Sequence, residues 1–161
     1  LAIEAPFFGK NPQSMLKLLI FGYGNPGRGD DALGTLLIER LAQLELAGVT
    51  CLVDMQLLIE HASDLTGFDQ IIFVDADISC GEPFEFSAVH AEKDSSYTSH
   101  TLTPAALLFV YLQIYQHAAP PAFLLRIRGY HFELGDTLSA RAGVNLEAAI
   151  KQIQQWHLQH V

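Results

Sequence analysis

Basic residues are scarce in this chain. Nine Lys and Arg stand against eighteen Asp and Glu, for a formal net charge of −9 over 161 residues. A nucleic-acid binder needs a basic face to meet phosphates, so that class is excluded, and so is attraction to an anionic membrane surface. Cysteine is almost absent: Cys51 and Cys80 are the only two, with no CxxC pair. Two cysteines make neither a disulfide framework nor a thiolate metal site. No apolar run approaches the roughly 20 residues that span a bilayer. The opening LAIEAPFFGKNPQSM lacks a basic segment followed by an apolar stretch of signal-peptide length. A cytoplasmic setting is the expectation. Residues 1–14 precede the first patterned segment and read as a linker, leaving 15–161 as one domain, expected to act as a monomer.

What is present is a regular alternation of apolar runs and helical periodicity. KLLIFGY (17–23), VTCLVD (49–54), QIIFVDA (70–76) and FLLRIRGY (123–130) read as strands, three of them as continuous apolar runs suited to a sheet covered on both faces. Leu33, Leu36, Leu37, Leu41 and Leu44 share one face of a helix over about 32–46, and a second helix is expected around 56–66. Residues 81–91 open with a turn and partly alternate, as an edge strand does. Thr103-Pro104 reads as an N-cap followed by proline in the first helical turn, starting a helix that runs to about His117. GDTLSARAG (135–143) reads as a loop, and Leu146, Ala149, Ile150, Ile153 and Trp156 mark a final amphipathic helix. The pattern predicts a single three-layer α/β domain with a largely parallel twisted sheet and helices on both faces.

In such sheets ligands bind outside the carboxyl ends of the strands. Three of those ends carry polar residues: the loop after the first strand, Asp54, and Asp75-Ala76-Asp77. The first loop reads FGYGNPGRGDDALG and contains Gly22-x-Gly24-x-x-Gly27, the spacing of a dinucleotide-binding turn. Asp54 would then serve as the ribose acid. Charge opposes this alternative. The helix N-terminus must face the pyrophosphate, and Asp30 and Asp31 stand there instead. An N-cap role suits one of the two acids. A metal site is the other reading: Asp31, Asp75 and His100 would give an oxygen and nitrogen donor set suited to nickel or zinc. Gly24, Asn25, Arg28 and Asp30 would form the loop beside substrate. Asn25 can instead shape the turn, and Arg28 can instead neutralise Asp30. Cys80 follows a strand end but has no visible activating partner. His157 and His160, three apart on the last helix, are expected on a solvated face. Asp77 reads as support for Asp75 or as a turn acid.

At this point the chain resembles the [NiFe]-hydrogenase maturation endopeptidases. GYGNPGRGDDALG resembles the N-terminal signature of that family, IIFVDAD its third-strand acid motif, SHTLTPAALL its histidine motif and FELGDTLS its late loop. The four segments occur in the family's order and extend from about Leu16 to Trp156. The resemblance implies a phosphorylase/hydrolase-like α/β sandwich. It implies an aspartic-type endopeptidase that removes a C-terminal peptide from the hydrogenase large-subunit precursor after nickel insertion. Asp31, Asp75 and His100 fall on the family's metal-contacting positions. The nickel is implied to arrive with the substrate, with no permanent cofactor.

Overall fold

A computed structural model describes residues 15–93 and 102–160. Its centre is a five-stranded sheet in the order β2-β1-β3-β5-β4. The strands are β1 (Leu18–Tyr23), β2 (Val49–Asp54), β3 (Gln70–Asp77), β4 (Phe84–Val89) and β5 (Ala122–Arg128). Four run parallel, and β4 alone lies antiparallel, at the edge beside β5. The helices are α1 (Leu33–Leu44), α2 (Pro104–Tyr115) and α3 (Ala140–His160).

The alternation of each strand divides its side chains between two cores. Leu18 and Ile20 of β1 and Ile72 and Val74 of β3 face α1 and α3, where they meet Leu37, Leu41, Leu146 and Ile150. Leu19, Phe21, Ile71 and Phe73 face the opposite side and meet Leu57, Leu65, Leu107 and Tyr111. Both faces of the central strands are therefore dry, as their unbroken apolar runs require. Tyr23 and Asp75 continue the second set of alternating positions, so they emerge at the sheet's carboxyl end on the α2 side. Their strands are in register there, with Gly22 opposite Val74.

Several local expectations are met. Thr103 caps α2 by accepting from Ala106 N at 3.1 Å, with Pro104 in the first turn. Residues 84–89 form the edge strand. Others change. The segment around 56–66 is a 3-10 helix, Ile59–Leu65, shorter and tighter than the expected α-helix. The last helix begins at Ala140, so the second half of GDTLSARAG is helical rather than loop. Ser139 starts it: its Oγ accepts from Ala142 N at 3.2 Å. His157 is buried, not solvated, and its Nε2 bonds to Ala47 O at 2.7 Å, tying the end of α3 to the turn before β2. His160 stacks on Trp156 at 4.0 Å between ring centroids.

Helix α1 lies unusually close to β1. A Cβ on Gly22 would stand 2.5 Å from the Gly34 carbonyl oxygen and 2.6 Å from Ile38 Cγ1. Backbone occupies the space a methyl group would need, and α1 cannot retreat without opening the apolar core behind it. Gly22→Ala is therefore expected to destabilise the fold by about 2–3 kcal/mol, read as a lower denaturant midpoint at unchanged m-value.

Candidate functional site

The glycine loop bends over the carboxyl end of β1 and enters a 3-10 helix, Gly29–Ala32, before α1 begins. The bend needs glycine at position 24. Gly24 has φ +145°, and a Cβ there would lie 2.2 Å from the Asp31 carbonyl oxygen. Asn25 shapes the turn, as its side chain type allows: Oδ1 accepts from Gly27 N at 2.8 Å. The 3-10 turn then sends the two consecutive acids in opposite directions.

Asp30 points inward and is fully buried. Its Oδ1 accepts from Ser139 N at 2.7 Å. Its Oδ2 accepts from Tyr130 N at 2.7 Å, His131 N at 3.1 Å and Ser139 Oγ at 2.8 Å. Burial by itself would raise its pKa. The donors from Ser139, Tyr130 and His131 outweigh burial and hold the carboxyl below its ordinary value. Asp30 was expected beside substrate; it is instead the anchor beneath the loop, and its partners are the 130–139 segment. Of the two readings for Arg28, beside substrate or paired with Asp30, the pairing with Asp30 is not formed. Arg28 Nε donates to Phe132 O at 3.0 Å and its side chain lies at the surface.

Asp31 turns the other way. Its Oδ2 accepts from Asn25 N at 2.8 Å, and its carboxylate lines an open cleft of about 670 Å³ together with Tyr23, Asn25, Arg28, Met55, Gln56, Asp75 and Phe132. Asp75 rises from the end of β3 into the same space. Burial, reinforced by the negative charge of Asp31, pushes the Asp75 carboxyl up to about 7 despite a hydrogen bond from Tyr23. Burial and the neighbouring Asp75 in turn hold the Tyr23 hydroxyl firmly protonated. The structure thus brings Asp31 and Asp75 to one cleft, with Gly24, Asn25 and Arg28 on its rim. His100 lies outside the described residues. Among the described residues, no three His, Cys, Asp or Glu side chains gather closely enough to hold an ion.

Sequence reasoning missed Tyr23, Met55, Gln56 and Phe132. Tyr23 had a signal, since it ends β1 at the end of the sheet where sites form. Met55, Gln56 and Phe132 reach the cleft only through the path of two connecting segments. Other candidates fall away from it. Asp77 pairs with Arg126 at 3.1 Å and accepts from Ser79 N at 2.7 Å. The Cys80 thiol is buried, which raises its pKa, and faces the carbonyls of Asp77 and Arg126. Cys51 is half-buried in its strand.

The dinucleotide alternative meets a direct obstacle. The amides that a pyrophosphate would use are already bonded within the chain. Gly24 N donates to Asp54 O, Asn25 N to Asp31, Gly27 N to Asn25, Arg28 N to Asn25 O, Gly29 N to Asp136 O, Asp30 N to His131 O and Asp31 N to Arg28 O. Pro26 has no amide hydrogen to offer. Asp54, the would-be ribose acid, accepts from Met55 N at 2.7 Å and from His61 Nε2 at 3.0 Å. Leu58 N donates to His61 Nδ1 at 2.8 Å, which leaves the proton on Nε2 for Asp54.

The two cleft-region acids give opposite stability signatures. For Asp30, with its pKa lowered, the stabilisation is complete above the ordinary value of 3.8 and is lost as pH falls through the lower folded value. Asp30→Asn should cost about 3 kcal/mol at neutral pH, because it turns an amide NH2 toward N–H donors, and should flatten the acid limb of a Tm-versus-pH curve. For Asp75, with its pKa raised, the folded state holds a proton that the unfolded chain gives up, so ionisation works against folding as pH rises from 3.8 to about 7. Asp75→Asn should therefore raise Tm, with the full gain above about pH 7 and none below 3.8.

No protein-family model matches the chain, and no curated protein matches it. Solved structures do. The hydrogenase maturating endopeptidase HybD from E. coli is similar at TM-score 0.69 and 21% identity, over 86% of this chain and 90% of that one. The [NiFe] hydrogenase maturation protease HycI from Thermococcus kodakarensis is similar at TM-score 0.67 and 23% identity, over 89% and 93%. The hydrogenase 2 maturation peptidase from a Thaumarchaeota archaeon gives 0.62 and 19%, over 86% and 96%. Likeness at these identities is likeness of fold, and it extends over nearly the whole of both chains: this chain has the fold of the solved hydrogenase maturation proteases.

Proposed function

We propose that this chain is an endopeptidase that removes a C-terminal peptide from the large-subunit precursor of a [NiFe]-hydrogenase. The single observation that carries the reading is the meeting of Asp31 and Asp75 in one open cleft, at the strand ends of this fold. Two carboxylates at such a place have a chemical use. They are hard oxygen donors, and with the imidazole of His100 they would complete a mixed set that a borderline ion such as nickel accepts. The nickel is part of the substrate, seated in the precursor before cleavage. Contact with it makes the cut depend on the ion being in place. The four sequence motifs, in order, support the assignment of this fold to this chemistry.

The residues also supply a route for protons. A carboxyl with a pKa near 7 is well matched to take a proton from water at neutral pH and return it to the departing nitrogen. Asp75 has that property because burial, and then the Asp31 charge, disfavour its ionised form. Tyr23 fixes its orientation. Asp31 stays at the cleft edge, held through the Asn25 amide.

The test is intact-mass spectrometry of nickel-loaded and nickel-free precursor incubated with the protein. A defined C-terminal loss in the nickel-loaded sample alone is expected. Asp31→Asn and Asp75→Asn should each slow that loss by at least about 100-fold. In the wild type, kcat/KM should rise with pH through about 7 as Asp75 ionises. A nickel-containing precursor that remains at full length overturns the assignment.

A further inference from the structure

Arg28 is the one cation among the described residues that line the cleft. It forms no ion pair among the described residues, although Arg40, Arg126 and Arg141 all do. Its Nε is committed to the Phe132 carbonyl at 3.0 Å. That bond ties the guanidinium to the 130–139 segment and uses a donor on one side only. Among the described residues neither Nη group has a hydrogen-bond partner. The backbone on either side is also fixed: Arg28 N donates to Asn25 O and Arg28 O accepts from Asp31 N, both at 3.1 Å. An arginine held in this way is a preorganised fork, with little side-chain entropy left to lose on binding a carboxylate.

The charge balance of peptide hydrolysis shows what the fork is suited to hold. Water adds to the carbonyl carbon, the C–N bond breaks, and the nitrogen leaves with a proton as an amine. The acyl half becomes a carboxylic acid that ionises at neutral pH, its proton passing to the amine that departs with the released peptide. Each turnover thus creates one new carboxylate in a cleft that already holds Asp31 and Asp75. Like charges in a shared, partly desolvated space repel, and a cation lining the same cleft offsets that repulsion. We infer that Arg28 holds the α-carboxylate that cleavage creates at the new C-terminus of the trimmed chain.

The inference rests on the peptidase reading, and the experiment separates the two. Once mass spectrometry locates the cut, the residues preceding it are made as one peptide in two forms, with a free C-terminal acid and with a C-terminal carboxamide. Each competes against cleavage of the nickel-loaded precursor. The free acid should inhibit on the order of tenfold more strongly than the amide. Arg28→Gln should remove that preference. Arg28→Lys, which keeps the charge but not the fork or the Nε anchor, should restore part of it. Thermal melts of both variants check that the loop remains folded. An acid preference that persists in Arg28→Gln overturns the inference, as does equal inhibition by the two peptides or none by either. Wild-type protein that never trims the precursor overturns the peptidase reading itself.

Discussion

The glycine-loop side of the sheet's carboxyl end depends on one buried carboxylate. Asp30 receives four hydrogen bonds from Tyr130, His131 and Ser139, roughly 100 residues away in sequence. A buried charge is costly unless it is fully satisfied. That requirement makes Asp30 a stringent organiser, because the glycine loop and the 130–139 segment can close only when all of these donors are in place. Backbone bonds from Gly29 N to Asp136 O and from Asp30 N to His131 O join the two segments further. Ser139 extends the tie into the core by capping α3. Helix start, loop and strand end are thus held by one side chain.

The cleft inherits its shape from that clamp. Phe132 forms one lip because the segment that carries it is bound to Asp30 on both sides. Arg28 reaches across because the Phe132 carbonyl stands where its Nε can meet it. The opposite wall has an independent support: Asp54, His61 and Leu58 form a closed set of hydrogen bonds that fixes the turn bearing Met55 and Gln56. Between the two walls, Asp31 and Asp75 share one cleft, and the Asp31 charge reaches the Asp75 carboxyl. Two acids at this end of the sheet therefore do opposite work. Asp30 is ionised, buried and satisfied, and it stabilises the fold. Asp75, two strands away in sequence, has a raised pKa because its surroundings favour the neutral form, and that tension makes it useful in proton transfer.

The layers of the fold were legible in the sequence because they follow from burial periodicity. A strand covered on both faces must be apolar throughout, and QIIFVDA and KLLIFGY could hardly be anything else. The Thr103-Pro104 start of α2 was equally readable, because a cap is local chemistry. The reading was weaker where local and tertiary signals compete. Residues 59–65 have helical spacing, but they close as a 3-10 helix whose start is fixed by His61 bonding back to Leu58. Polar spacing placed His157 outside, but its Nε2 meets the Ala47 carbonyl and the ring is buried there.

The sequence by itself determined the alternation of strands and helices, the glycine loop at a strand end, and the presence of Asp31 and Asp75 at two such ends. These are statements about single segments, and the physics behind them acts within a few residues. Which of two neighbouring acids faces the cleft was decided only by the tertiary structure, because it depends on donors that arrive from the 130–139 segment. The same holds for Arg28, whose partner is a carbonyl more than a hundred positions away, and for the raised pKa of Asp75, which arises from burial and a charge that only folding brings beside it. Side-chain chemistry can be read from sequence, whereas the desolvation and the partners that tune it exist only once distant segments meet.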